Sequence, residues 1–256
     1  MNPKALVLQA HGSNRDFDVM DALTLAGADV VGVPLNELRN HKTVLADFQL
    51  LVLPGGFSYA DALGAGKLLA LDLSSYFANE IAAFVDSEKP VIGICNGFQA
   101  LVKSGILPGI SDGQSTLTFN AQGYFECRWV NLKPVSQKCI WTKDLSENIT
   151  CPIAHGEGNF QTTQLFPLSS FIVHDQIALA YIHGDGSLAS GEYPINPNGS
   201  VLDIAGICNP QGNVLGLMPH PENHIQTWQH PRHTRGETRG SGLKLFENGV
   251  KYAKQI

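Results

Sequence analysis

Val91-Ile92-Gly93-Ile94-Cys95-Asn96-Gly97-Phe98-Gln99 is the stretch from which the fold can be read. Residues 90–94 form a short, continuously apolar run, the pattern of a strand buried on both faces. A helix over about 96–104 follows without an intervening loop, and Gly105 ends it. Cysteine stands at the junction, with a glycine two residues to either side. This is the thiol version of the G-x-S-x-G elbow, where a strained nucleophile sits between strand and helix. Side chains at 93 and 97 would collide as the helix folds back on the strand. At the helix N-terminus the thiol meets unpaired amides and the positive end of the helix dipole, which favour thiolate.

The same alternation extends outward from this elbow. Residues 4–9, 29–33 and 49–53 read as buried strands, and helices fit 62–71 and 74–87. Ser13 with Asp16 looks like a capping box for a helix whose apolar face is Val19, Met20, Leu23 and Ala26, with Gly27 beyond its end. Such alternation predicts a parallel sheet covered on both faces. The second half differs. Residues 117–133, 137–142, 149–154, 170–173 and 177–183 read as short β segments, followed by strands at about 201–207 and 213–217. An amphipathic helix over 241–253 closes the chain. With no repeat, low-complexity tract or linker, residues 1–256 are expected to form one α/β domain with a β-rich insertion.

Composition bounds the function classes. The 17 basic and 23 acidic residues give a net charge of −6, so nothing neutralises a phosphate backbone and nucleic acid is not the expected partner. The start MNPKALVLQAHG is broken by Gln9 and does not read as a signal peptide, and no apolar run approaches the ~18 residues of a membrane span. The five cysteines are odd in number and include no C-x-x-C pair, which points away from a disulfide framework or zinc knuckle and toward the cytoplasm.

A cysteine nucleophile needs a base, and the base needs an orienting group. Met218-Pro219-His220-Pro221-Glu222 offers both: each proline favours an extended residue before it, and residues two apart in an extended chain face one side. Glu222 would then fix the His220 tautomer and stabilise imidazolium. Gly55-Gly56 follows the strand 49–53, so it lies at a carboxyl end of the sheet, where ligands of open α/β folds bind. Backbone N–H groups of Gly56 and of Asn96, next after the nucleophile, are the expected oxyanion donors.

With GICNGFQ at 93–99 and His-Pro-Glu at 220–222, the chain resembles the class I (triad) glutamine amidotransferases. The resemblance implies a three-layer α/β/α, flavodoxin-like fold and hydrolysis of the glutamine side-chain amide through Cys95, His220 and Glu222, with Gly55 and Gln99 helping to hold L-glutamine. Within that class, LPGGFSYADALGAG (53–66), FECRWV (125–130), AHGEGNF (154–160), PNGS (197–200) and IAGICNPQGNVLGLMPHPE (204–222) are similar to the glutaminase subunits of phosphoribosylformylglycinamidine synthase. That likeness implies a separate synthetase subunit that uses ATP and Mg, and a small accessory subunit, with no cofactor on this chain. It places His155 and Glu157 at the substrate pocket and the synthetase contact. The chain departs from the family pattern at Arg15, Ala60, Asn159 and Asn223, none of them in the triad.

Other signals carry less. His220, His224, His230 and His233 are spaced by 4, 6 and 3, but the zincin glutamate is missing and no metal site is expected. GAGK at 64–67 lacks the first glycine of a phosphate loop, which leaves ATP to the partner. Arg232, Arg235 and Arg239 read as a solvated loop. Cys127, Cys139 and Cys151 recur every 12 residues for no evident reason. Two further readings stay open: a free-standing γ-glutamyl or peptide hydrolase with the same triad, and a binding module that has lost catalysis, against which the intact triad argues.

Overall fold

The computed structural model describes residues 1–109, 115–163 and 168–256. In chain order the elements are β1 (Lys4–Gln9), α1 (Asp16–Leu25), β2 (Asp29–Pro34), α2 (Leu35–Arg39), β3 (Leu50–Leu53), α3 (Lys67–Tyr76), α4 (Ala78–Asp86), β4 (Val91–Ile94) and α5 (Asn96–Lys103). They continue with β5 (Ser115–Thr118), β6 (Glu126–Pro134), β7 (Ile149–His155), β8 (Asn159–Thr162), α6 (Leu168–Val173), β9 (Ile177–Ile182), β10 (Ile204–Cys208), β11 (Val214–Leu217) and α7 (Leu243–Ala253).

Among the described residues, nine strands join in one sheet of order β2-β1-β3-β4-β11-β10-β9-β6-β7. Its first five strands are parallel neighbours in the 2-1-3-4-5 order of flavodoxin-like sheets. Every residue of β3, β4 and β11 is buried, as strands covered on both faces must be. Helices α1 and α7 pack together in one layer and α3 and α5 in another. Helix α7 buries Leu245, Phe246, Val250 and Ala253 along one stripe.

The β-rich insertion is not a separate appendage. Among the described residues, four of its strands extend the main sheet antiparallel from β11, in the order β10, β9, β6, β7, while β5 and β8 pair apart. The segment 117–133 therefore splits, with β5 in the small sheet and β6 in the large one. Residues 137–142 form no strand: Thr142 N and Lys143 N both donate to Cys139 O, at 3.1 and 2.8 Å, which closes a turn. Residues 170–173 belong to helix α6. Phe171 is buried while Ile172 and Val173 are exposed, the one-sided burial of a helical turn and not of a core strand.

Two local readings at the N-terminal end also change. Strand β2 lies at the sheet edge and is only half covered. The capping box does not form. Helix α1 starts after Arg15 without a side-chain cap, the Ser13 hydroxyl accepts from Ala10 N at 3.2 Å, and the Asp16 carboxylate accepts from Gln9 Nε2 at 2.7 Å. Residues just before the helix have claimed both side chains. Among the described residues, no single helix is long and apolar enough to cross a membrane.

Candidate active site

Cys95 occupies a left-handed, strained conformation with φ 50° and ψ −103°, at the N-terminus of α5. The two glycines of the elbow explain how the chain tolerates it. A Cβ at Gly93 would lie 2.8 Å from the Gly97 carbonyl, and one at Gly97 would lie 2.0 Å from Leu53 O. Helix α5 thus rests directly on the ends of β3 and β4, and its first N–H groups have no partners within the helix. The Cys95 sulfur is 3.7 Å from Ala154 O and only 5% of the residue is exposed.

His220 is delivered by the neighbouring strand. Ile94 pairs with Leu217 across β4 and β11, and Cys95 N donates to Leu217 O at 2.8 Å, so the ends of the two strands are clamped together. Three residues on, His220 N donates to Pro152 O at 2.8 Å, and its Nδ1 hydrogen-bonds Glu222 Oε1 at 2.7 Å. The pair forms by a different route from an extended chain. Pro221 opens a 3-10 turn over Pro221–His224, and that turn swings Glu222 back under the ring. His220 Nε2 has no other partner among the described residues and faces the Cys95 thiol. Burial opposes a charge on the ring, but the Glu222 carboxylate and then Cys95 outweigh it and push the His220 pKa up to about 10. The carboxylate thus favours the imidazolium form of the ring.

Gly55 borders this ring, and Gly56 follows it. A Cβ at Gly55 would come 2.8 Å from His220 Cε1, so only glycine lets the loop lie against the imidazole. Gly56 has φ 141° and is stitched to the segment after β1, with Phe57 N donating to Gly12 O at 2.9 Å and Arg15 N to Gly55 O at 3.3 Å. The Asn96 side chain ties the loop to α5, accepting from Ser58 N at 3.1 Å and donating to Asp61 Oδ1 at 2.9 Å. Asp61 carries no signal of its own in the sequence, although it lies in the quoted 53–66 stretch. Burial raises its pKa, against hydrogen bonds from Gly66 and Asn96.

Three further expected residues lie beside the triad. In this structure Gln99 Nε2 donates to Glu157 O at 2.6 Å and Oε1 accepts from Asn96 Nδ2 at 3.1 Å. It braces the 154–160 loop against α5. Glu157 turns inward to the same brace, accepting from Ala65 N at 3.2 Å and pairing with Lys103 at 3.4 Å. His155 is buried. Its Nδ1 meets Asn120 Oδ1 at 3.1 Å, and Asn120 Nδ2 is already committed to the carbonyls of Tyr124 and His155. Asn120 can therefore only accept there, which puts the His155 proton on Nδ1. Burial, then the charge on His220, hold the His155 pKa down to about 3, so this second ring is neutral.

The remaining sequence signals stay apart from the triad. His224 Nδ1 donates to Thr150 O at 2.5 Å, and His224 and His230 pack edgewise on Trp129. Among the described residues, no three His, Cys, Asp or Glu side chains gather as a metal site. What the sequence did not reveal is the wall behind the triad, where Cys151 and Tyr181 are fully buried and Tyr181 OH accepts from Asn198 Nδ2 at 3.1 Å. Burial first of all raises the Tyr181 pKa. Both positions look like ordinary core residues in the linear chain.

Comparison with known proteins agrees with this geometry. A family model for the CobB/CobQ-like glutamine amidotransferase domain matches residues 2–253. The chain is 53% identical to the phosphoribosylformylglycinamidine synthase subunit PurQ of Treponema denticola, over 98% of this chain and 99% of that protein. It is 41% identical to the subunit of the same name from Dehalococcoides mccartyi, over 99% and 98%. Among solved structures it resembles a chain of PurLQS from Thermotoga maritima, with a TM-score of 0.74, 32% identity, and coverage of 98% of this chain and 99% of that one. A glutamine amidotransferase from Thermotoga maritima, at 14% identity and a TM-score of 0.58 over 100% of both chains, shares the fold.

Proposed function

The chain belongs to the family of PurQ subunits of phosphoribosylformylglycinamidine synthase, and on that premise we propose how its residues perform the family's reaction. The subunit hydrolyses L-glutamine to glutamate and ammonia. The ammonia passes to a synthetase subunit that converts formylglycinamide ribonucleotide to the amidine with ATP. The observation that carries the assignment of residues is the strained Cys95 at the head of α5, set beside an imidazole that Glu222 holds at 2.7 Å.

In this reading the Cys95 thiolate, stabilised by the His220 imidazolium and the helix N-terminus, attacks the amide carbon of glutamine. Negative charge develops on the amide oxygen and is met by the N–H groups of Gly56 and Asn96. His220 gives its proton to the departing nitrogen, which leaves as ammonia and a glutamyl thioester on Cys95. The now neutral imidazole takes a proton from water as that water attacks the thioester, and glutamate is released. Glu222 keeps the ring oriented and favours its charged form throughout. Gly55 lets the loop lie against that ring.

ATP and Mg belong to the synthetase subunit, consistent with a chain that has no phosphate loop, and a small accessory subunit completes the assembly. The compartment is the cytoplasm, in keeping with five free cysteines. The test is ammonia release from glutamine by the assembled synthase loaded with ribonucleotide and ATP. Cys95→Ala should abolish it while the fold is kept, because a small residue fits the elbow. Retention of even a tenth of the rate, a barrier change of only ~1.4 kcal/mol, would remove Cys95 from the role of nucleophile. Vigorous turnover by the isolated chain, indifferent to the synthetase, would favour a free-standing hydrolase.

A further inference from the structure

The loop after β3 takes a costly path. Tyr59, Ala60 and Asp61 all lie in the left-handed region, which residues other than glycine enter against steric resistance. The turn has a definite result. It brings the Asp61 carboxylate to the head of α5, where Oδ1 accepts from Asn96 Nδ2 at 2.9 Å.

Asn96 is buried, and its side-chain amide has partners at both ends. Nδ2 donates to Asp61 Oδ1 and, at 3.1 Å, to Gln99 Oε1, while Oδ1 accepts from Ser58 N at 3.1 Å. The direction of each bond is dictated from outside the amide. The Ser58 N–H can only donate, and a carboxylate can only accept. Gln99 gives its own Nε2 to Glu157 O at 2.6 Å, which leaves Oε1 for Asn96. A flipped Asn96 amide would set its oxygen against the Asp61 carboxylate and its NH2 against the Ser58 N–H. Asp61 thus decides which end of the amide faces Ser58.

We propose that Asp61 is a positioning residue for the oxyanion hole: by orienting the Asn96 side chain it ties Ser58, two residues after Gly56, to the first residue of α5, and so sets the spacing of the Gly56 and Asn96 N–H groups. These two donors come from separate elements. On its far side the loop is held by backbone bonds, Phe57 N to Gly12 O at 2.9 Å and Tyr59 N to His11 O at 2.6 Å. On the α5 side the Asn96 amide makes the corresponding tie. Oxyanion donors act over a narrow range, about 2.7–3.1 Å, so a loosened tie raises the barrier and leaves ground-state binding nearly alone. This inference rests on the assignment of Gly56 and Asn96 as the oxyanion donors.

The experiment uses the assembled synthase and measures kcat and KM for glutamine hydrolysis. Asp61→Gly removes the carboxylate and accepts the left-handed backbone, whereas Asp61→Asn keeps an acceptor oxygen on that backbone. Asp61→Gly should lower kcat about tenfold with KM within about twofold, less than outright loss of a donor because the N–H groups are displaced and not removed. Asp61→Asn should bring kcat back to within about threefold of the parent. Asn96→Ala, which keeps the backbone N–H, should cost about as much as Asp61→Gly, and the double variant no more than about twofold beyond it, because Asp61 acts through that amide. Alkylation of Cys95 by iodoacetamide, a displacement that develops no oxyanion, should keep its rate within about twofold in Asp61→Gly.

Asn96→Asp adds a test by exchange. It turns a carboxylate oxygen on Asp61 and should lower kcat at least about tenfold; adding Asp61→Asn supplies a donor across the pair and should recover about threefold or more, in part only because Gln99 Oε1 still lacks its donor. An Asp61→Gly enzyme with kcat within about twofold of the parent would overturn the proposal. So would equal losses in Asp61→Gly and Asp61→Asn, independent losses in the double variant, or alkylation that falls as far as kcat. Should Asp61→Gly fail to assemble, the exchange decides alone, and no recovery on adding Asp61→Asn overturns the proposal. Cys95→Ala separates the layers of inference. Activity surviving Cys95→Ala defeats the catalytic reading itself, whereas an inactive Cys95→Ala with a fully active Asp61→Gly defeats only the positioning role.

Discussion

Gly97→Ala tests whether the approach of helix α5 to the sheet sets catalysis. The added Cβ would lie 2.0 Å from Leu53 O, 2.7 Å from Leu53 C and 2.8 Å from Leu53 Cβ, where real Cβ contacts stay beyond 3.0 Å. About 1 Å of separation is therefore required. Strand β3 cannot supply it, because Leu53 pairs with Gly93 in the middle of the parallel sheet. The helix must move instead, carrying Cys95, the Asn96 N–H and the Asn96 side chain that holds Ser58 N at 3.1 Å. Overpacking of this kind costs about 1–3 kcal/mol of stability, and a displacement near 1 Å in reacting groups costs about a hundredfold in rate. Urea unfolding and kcat for ammonia release by the assembled synthase read the two effects. Gly105→Ala is the control. Gly105 has positive φ, at 81°, unlike Gly97, but nothing lies within 4 Å of its would-be Cβ, so it should lose only about 1 kcal/mol of stability and no activity. Gly97→Ala with kcat within about twofold of the parent would refute the reasoning, as would a Gly105→Ala enzyme equally impaired.

Two further outcomes follow from strain and from charge. Tyr59, Ala60 and Asp61 run consecutively in the left-handed region at φ 55°, 55° and 53°, so Ala60→Gly relieves steric strain while adding unfolded-chain entropy. The net should be a gain of about 0.5–1 kcal/mol in urea unfolding, and a loss of stability would show that the Ala60 methyl contributes packing. His155, with a folded pKa near 3 against 6.5, binds its proton more tightly when unfolded. Its contribution is whole above pH 6.5 and is lost as pH falls toward 3, at up to about 1.4 kcal/mol per pH unit. His220, raised to about 10, has the opposite sign: its contribution is whole below pH 6.5 and fades as pH rises through 10. His155→Gln should accordingly flatten the acid limb of stability and leave the alkaline limb alone. An unchanged acid slope in urea unfolding would place the origin of that limb elsewhere.

The parallel half of the fold was legible because its signals are local. Continuous apolar runs at β1, β3 and β4 and the glycine-flanked elbow each constrain a few neighbouring residues, and each appears within a residue or two of its expected place. The misreadings fall where partners outside the motif decide. Residues 170–173 are apolar enough for a strand, yet only Phe171 finds a core to enter. Ser13 and Asp16 have the spacing of a cap, yet Gln9 and Ala10 claim them first. The insertion was recognised as β-rich, but β10 continues the sheet beyond β11 and meets β9 through a register irregular at Gly206, and no pattern in the linear chain announces that pairing.

The site divides in the same way, and the division explains why the insertion is there. Cys95, Asn96, Gly55, Gly56 and His220 all sit at carboxyl ends of parallel strands, so topology alone brings them into one crevice. A five-stranded sheet would leave that crevice open along β11. The antiparallel extension closes it. Strand β7 takes the His220 N–H on Pro152 O and sets Ala154 O at 3.7 Å from the nucleophile, and the loop after it is braced through Glu157 to Gln99, Ala65 and Lys103. The loop expected near the substrate pocket and the synthetase contact is thus fastened from the inside to the helix that carries Cys95. A wall of this kind gives a nearly dry site in which an imidazolium–carboxylate pair is strong and a neutral histidine beside it is cheap to keep neutral. The parallel half of the chain brings the reacting groups together, and the antiparallel half creates the low-dielectric surroundings in which their charges are set.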